Sequence, residues 1–254
     1  MAHTKEPPEA CMEAQDAFRE RLLSVMDRKD HWAWKAFATG GVTVAQLKIH
    51  FQQEYAVYVR DFPVFLARVH GKNPPIPVRR ALAENMYEEE TGGLTRGRSH
   101  PDLFLYLMEG LGFTQQEFDA VELLPESAAY RRWLDQVTTA SSWIEGVAVA
   151  TIFVEGSVHE RAVLNGTARE EPDIERKIAQ HPLVKYHHVA PRYLDLARAH
   201  GAVEGLHRRD AWKMVLDYAS APEAQQRVVH AMERSIDLWL TYRDGVARAC
   251  GIRR

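Results

Sequence analysis

Cysteine is almost missing from this chain. Its two copies, Cys11 and Cys250, stand at opposite ends, and neither belongs to a Cys-x-x-Cys pair. That excludes a thiolate zinc site and a disulfide framework, and it leaves two unpaired thiols in a reducing compartment, with the cytoplasm as the expected location. Long apolar runs are missing too, so no membrane span is expected. The opening MAHTKEPPEACMEAQDAF lacks the apolar centre of a secretory signal. Charge of one sign is not in excess: 32 Lys and Arg face 35 Asp and Glu. Nothing electrostatic therefore calls for nucleic acid or an anionic membrane as partner. Strand-like alternation is nearly absent, which argues against a sheet.

Helical periodicity fills the 254 residues. A first helix is expected from about Pro8 to Arg28. Thr43-Val44-Ala45-Gln46 reads as a capping box opening a helix to about Asp61, which Pro63 bends or restarts. After the proline-rich loop Lys72–Pro77, a helix from Arg79 to Thr91 stops at Gly92-Gly93. The loop Leu94–Ser99 leads to a helix over Pro101–Leu111. Thr114-Gln115-Gln116-Glu117 is a second capping box. Helices follow at Ser127–Thr138 and Ser141–Leu164, then a polar break at Asn165–Pro172. Further helices are expected at Asp173–Gln180, Leu183–His188 and Pro191–Tyr218. Ser220-Ala221-Pro222-Glu223 caps a last helix to Cys250. No repeat or linker divides the chain, so one all-α domain of eight to ten helices over 1–254 is the economical reading, with 1–7 expected to be disordered and a metal-binding core over about 43–250.

Four segments place an ionisable residue on the stripe that should face the core. His200, Glu204 and His207 fall within about 60° of arc at ~100° per residue, on the side of Leu196, Val203, Ala211 and Met214. A buried polar network fixing helix register is the alternative for this trio. Glu155 continues the stripe Ile144, Ala148, Thr151 of a strongly apolar helix. A lone carboxylate there costs several kcal/mol unless it is neutralised, paired or bound to a cation. His159, one turn on, either joins it or sits exposed at the helix end, while Glu160 and Arg161 read as surface residues. Glu90 follows Leu82 and Met86, and its neighbours Glu88 and Glu89 read as a solvated acidic run. His100 opens a helix whose apolar stripe is Leu103, Phe104, Leu107 and Leu111. Together these are three carboxylates and three imidazoles. Mixed Glu and His ligands suit iron or manganese, and six of them suit two metals better than one.

These residues resemble the haem-oxygenase-like di-iron oxidases. Glu90-Thr91-Gly92-Gly93, His100, and the helix ending Glu109-Gly110-Leu111-Gly112 are similar to that family's first metal motif. Phe153-Val154-Glu155 is similar to its second, and His200-x3-Glu204-x2-His207 to its third. Ile236-Asp237-Leu238-Trp239 also resembles the related pyrroloquinoline-quinone synthase C protein. The resemblance implies a haem-oxygenase-like helical bundle without haem. It implies two ferrous ions held by Glu90, His100, Glu155, His200, Glu204 and His207, with dioxygen as co-substrate. It further implies oxidation of a small amine or carboxylate by N-oxygenation, desaturation or C–C cleavage in the biosynthesis of a specialised metabolite, an external electron donor, and a homodimer. Two departures stand out. Glu204 occupies a position where the family usually has Asp, and the stretch from Glu155 to His200 is longer than the family's.

Three alternatives remain at this stage. The first is a cofactor-free or quinone-synthase-like oxidase on the same fold; a thiaminase-like hydrolase would need a mid-chain cysteine that is absent. The second is a ferritin-like bundle, which wants two Glu-x-x-His motifs where Glu204–His207 supplies one. The third is a non-catalytic helical interaction protein, which leaves the inward-facing ionisable groups without a purpose.

Overall fold

The computed structural model describes residues 9–165, 167 and 173–254, with the backbone alone at 9–12 and 203–207. Among the described residues there is no strand. The principal helices are α1 (Glu9–Asp27), α2 (Val44–Glu54), α3 (Phe62–His70), α4 (Ile76–Thr91), α5 (His100–Gly110), α6 (Pro125–Thr139), α7 (Trp143–Val147), α8 (Asp195–Leu216) and α9 (Pro222–Ala249). Shorter helices fill the connections. No described helix is long and apolar enough to cross a membrane.

Local chemistry sets several of these boundaries. Thr43 and Gln46 form the expected reciprocal cap: Thr43 N–H donates to Gln46 Oε1 at 2.7 Å, and Gln46 N–H to Thr43 Oγ1 at 3.3 Å. α9 starts differently from expectation. Ala221 precedes it without a side-chain cap, and Pro222 occupies the first turn, where a missing N–H costs nothing. The helix expected to end near Asp61 instead widens into a π segment, Tyr55–Val59, before α3 starts at Phe62 with Pro63 in its first turn. The helix expected over Ser141–Leu164 is also broken. After α7 it winds as a π-helix, Ala148–Val154, and then turns through 155–159 into the short helix Glu160–Leu164. The break has a visible cause. Lys29 Nζ donates to the carbonyls of Phe153 (2.5 Å), Val154 (3.2 Å) and Gly156 (2.6 Å), acceptors that a continuing helix would have used itself. Likewise, Pro191–Tyr193 is a separate 3-10 turn, and α8 begins only at Asp195.

α9 lies along α6 and α1, and α3 along α4. One apolar core joins these layers through fully buried Leu22, Phe65, Leu82, Leu134, Phe153 and Ile236. A second cluster, with Phe104, Met108 and Phe118, packs under α5 and the short helices at 174–187. The α7–π segment contacts both α8 and α9, while α5 sits against α4 and α8. Four elements thus meet on one side of the bundle, and they carry the ionisable residues. Cys250 is a free, buried thiol, pushed up to about 11 by burial; the Cys11 side chain lies outside the described residues.

Candidate metal centre

The site is built from the end of α4 outward. Along α4 the buried positions are Val78, Leu82, Asn85, Glu88 and Glu89. Glu88 is 0% exposed and Glu89 7%, whereas Glu90 is exposed. The expectation for these three acids is therefore reversed: the adjoining pair turns inward and Glu90 faces water. The reason is helical phase. Two successive steps of four, Leu82 to Met86 to Glu90, precess by about 80° at ~100° per residue. A step of seven, Leu82 to Glu89, returns to within about 20°. Asn85, three residues after Leu82, is the polar residue that marks the true inner row.

His100 opens α5, 3% exposed, directly over these acids. Its Nε2 lies 3.2 Å from Glu88 Oε1 and its Nδ1 2.8 Å from Glu89 Oε1. Glu88 is engaged elsewhere as well: it accepts from Leu94 N–H at 2.7 Å and from the Thr95 hydroxyl. It therefore clamps the loop 92–99 and orients the imidazole. Burial alone would push His100 down, but Glu89 and Glu88 outweigh it and raise its pKa. Burial alone would raise Glu88; Thr95, Leu94 N–H and His100 outweigh it and hold the carboxyl below its usual range.

A sign follows for the metal-free protein. The Glu88–His100 pairing is complete above the ordinary carboxyl pKa and below the ordinary imidazole pKa. It is lost as pH falls through the lowered Glu88 value or rises through the raised His100 value. The difference in Tm between wild type and Glu88→Gln should therefore shrink from pH 6 to pH 9. Thermal scans would check it, and a constant difference would contradict this pairing.

The other expected ligands distribute as follows. Glu155, half-buried, sits where the π segment ends, and Asn85 Nδ2 donates to its Oε1 at 2.8 Å. Asn85 thus ties Glu155 to the same inner row as Glu89. His200, on α8, brings its ring centroid to 5.0 Å from that of His100, edge to face, although the residue itself is exposed. Positions 204 and 207 lie one and two turns further along the same helical backbone; their side chains, and that of Val203, lie outside the described residues. His159 is exposed at the start of Glu160–Leu164 and borders a different cavity. Glu160, expected at the surface, is 1% exposed and accepts from Trp212 Nε1 at 3.0 Å.

Two observations bear on whether a cation fits here. His100 Nδ1 and Asn85 Oδ1 are buried without a hydrogen-bond partner, so the 2.8 Å contact of Nδ1 with Glu89 is not a directed hydrogen bond. That separation is close to the ~3 Å between neighbouring ligands at right angles around one divalent ion with bonds of about 2.1 Å. The donors are carboxylates and imidazoles, as iron and manganese prefer. Among the described residues alone, three such donors do not converge on one point. They fit a metal as the near half of a set that α8 would complete.

Comparison with known proteins agrees with this chemistry. The family model described as iron-containing redox enzyme matches residues 49–240, and the chain belongs to that family. Among curated relatives, the 4-aminobenzoate synthase of Chlamydia trachomatis is 27% identical over 131 residues, 48% of this chain and 54% of that protein. The chain therefore matches about half the length of this relative. A TenA homologue from Pseudomonas syringae superposes with a TM-score of 0.68 at 13% identity, covering 94% of this chain and 93% of its own. A protein from Shewanella denitrificans, described as having a heme oxygenase-like fold, gives 0.65 at 16%, covering 94% and 92%. The expected all-α, haem-oxygenase-like architecture is thus the observed one.

Proposed function

We propose that this chain is a di-iron enzyme that activates dioxygen to oxidise a small amine or carboxylate in a biosynthetic reaction. The observation that carries the reading is His100, held at Nε2 by Glu88 and presenting to Glu89 and the His200 ring an Nδ1 that makes no directed hydrogen bond. A buried orphan nitrogen is costly unless something takes it up. Glu89, His100, Glu155 and His200 would hold the metal, with Glu204 and His207 joining from α8. Glu89 replaces Glu90 in the set expected from sequence. Bound ferrous iron would supply the electrons that dioxygen activation requires, and an external donor would restore them.

The chain's own residues set the conditions. Glu88 holds the His100 tautomer by keeping a proton at Nε2, as outer carboxylates do at histidine metal sites. Asn85 holds Glu155. Leu82, Phe104 and Ala148, all buried, keep bulk water from this side of the bundle. The π segment before Glu155 is itself a functional sign, since such windings concentrate at active sites. The chlamydial relatives are named for making 4-aminobenzoate, a small amine and carboxylate, which supports a biosynthetic role. We place the enzyme in the cytoplasm, as a homodimer.

Anaerobic titration with ferrous iron tests the reading. About two irons per chain are expected, followed by oxygen uptake on mixing with air. Failure to bind either iron or manganese would overturn it. In the same assay Glu88→Gln should weaken metal binding by roughly 10–100-fold, the usual effect of removing an outer partner. Unchanged affinity would remove Glu88 from the orienting role.

A further inference from the structure

A cavity of about 300 Å³ opens on the other flank of Glu155. Val154 and Gly156 line it, whereas Glu88, Glu89, His100, Glu155 and His200 do not. Its inner wall carries Lys29, Glu54 and Arg243, and its aromatic sides are Trp34, Tyr130 and Trp239.

Arg243 is 5% exposed. Its Nη2 donates to Glu54 Oε1 and to the Tyr58 hydroxyl, each at 3.0 Å. Its Nε and Nη1 have no hydrogen-bond partner. The guanidinium is held by rings, 4.6 Å from the centroid of Trp34, 4.7 Å from Tyr242 and 5.3 Å from Trp239. Glu54 has no capacity left over, because Tyr58 and His50 also engage it. Lys29 donates to backbone carbonyls and lies over the rings of Phe153, at 5.0 Å, and Trp239, at 5.9 Å. Burial, and then the Arg243 guanidinium, push its amine down to about 7. The cavity wall thus sets the Arg243 guanidinium and the Lys29 amine against one committed carboxylate, Glu54; buried Glu160 also acts on Lys29, and Asp30 stands at the exposed rim. Two like charges on a low-dielectric wall repel each other, and an anion between them relieves both. The aromatic sides suit a flat apolar body, with cationic donors fixing one polar end.

We infer that this cavity binds a small organic carboxylate with a flat apolar body, at a site separate from the metal centre. The carboxylate sits between the Arg243 guanidinium and the Lys29 amine, and its body lies among Trp34, Tyr130 and Trp239. The inference does not rest on the iron reading, because none of the proposed ligands contributes to the cavity.

Calorimetry with benzoate on metal-free protein, with benzamide as the uncharged control, is the test. Saturable one-to-one binding of benzoate, not of benzamide, is expected, and loading with ferrous iron should change it less than twofold. Lys29→Met and Arg243→Gln should each weaken it on the order of tenfold. Because Arg243→Gln removes a buried charge and can fail to fold, Lys29→Met and Trp34→Phe are the decisive variants; Trp34→Phe should also lose most of the tryptophan fluorescence change on binding. Equal binding of benzamide, no binding of benzoate, or affinity unchanged in both decisive variants would overturn the site. Benzoate binding that appears only after iron loading would place the ligand at the metal instead. Iron binding without benzoate binding would overturn this site and leave the metal centre standing.

Discussion

Replacing His100 with Ala should abolish tight ferrous binding and lower the stability of the metal-free protein by roughly 3–5 kcal/mol, the usual cost of removing one member of a buried ion pair. Two effects combine. The substitution deletes the one nitrogen that faces Glu89 without a hydrogen bond. It also leaves Glu88 and Glu89, both buried, without their shared countercharge. For a domain of this size each kcal/mol moves Tm by about 2–4 °C, so a fall on the order of 10 °C is expected. The informative control is Glu90→Gln. Glu90 is exposed, so that variant should match wild type in iron content and in Tm. Glu89→Gln, one residue away, should lose iron. If Glu90→Gln lost iron and Glu89→Gln kept it, the phase assigned to α4 would be wrong.

The second large effect is expected at Gly92, which no ligand assignment includes. It ends α4 in the left-handed region, at φ 60°, and donates its N–H to Glu88 O at 2.7 Å. A Cβ added there would lie 2.1 Å from Arg98 O and 2.7 Å from Arg98 N. Both neighbours are backbone, so neither can swing aside. Gly92→Ala therefore meets the left-handed penalty of about 1–2 kcal/mol together with an overlap of about 1–3 kcal/mol. The loop beyond it presents Leu94 N–H and Thr95 to Glu88. Displacing that loop loosens the clamp on His100, so iron affinity should fall along with stability. Denaturant unfolding and iron titration of the variant would show both. Unfolding at the wild-type midpoint would contradict the close approach to Arg98.

Much of the fold was legible because helix signals are local. The Thr43–Gln46 cap, the glycine stop after Thr91 and the apolar period of α6 and α9 each need only a few neighbouring residues. The windings were not legible. Nothing near Ala148–Val154 announces a π-helix, and its end depends on Lys29, over a hundred residues earlier. The placement of the candidate ligands was legible in part for the same reason. His100, Glu155 and His200 sit on apolar stripes that can be read one helix at a time, and the structure brings the two imidazoles together. That Glu89 and not Glu90 turns inward was not legible, because three adjacent acids look alike and the stripe was followed in steps of four. Asn85, flanked by the buried row Leu82 and Glu89, was the available signal. The Lys29–Glu54–Arg243 group carried no signal at all, since its members come from three distant parts of the chain and each alone reads as an ordinary charged residue.

The most direct measurement is the anomalous scattering of crystals loaded anaerobically with ferrous iron, recorded at the iron edge. The account predicts iron peaks bounded by Glu89, His100, Glu155 and His200, with the helix through positions 204 and 207 closing the far side and Glu90 in solvent. Peaks beside Glu90, peaks among Glu54 and His50, or none at all would contradict it.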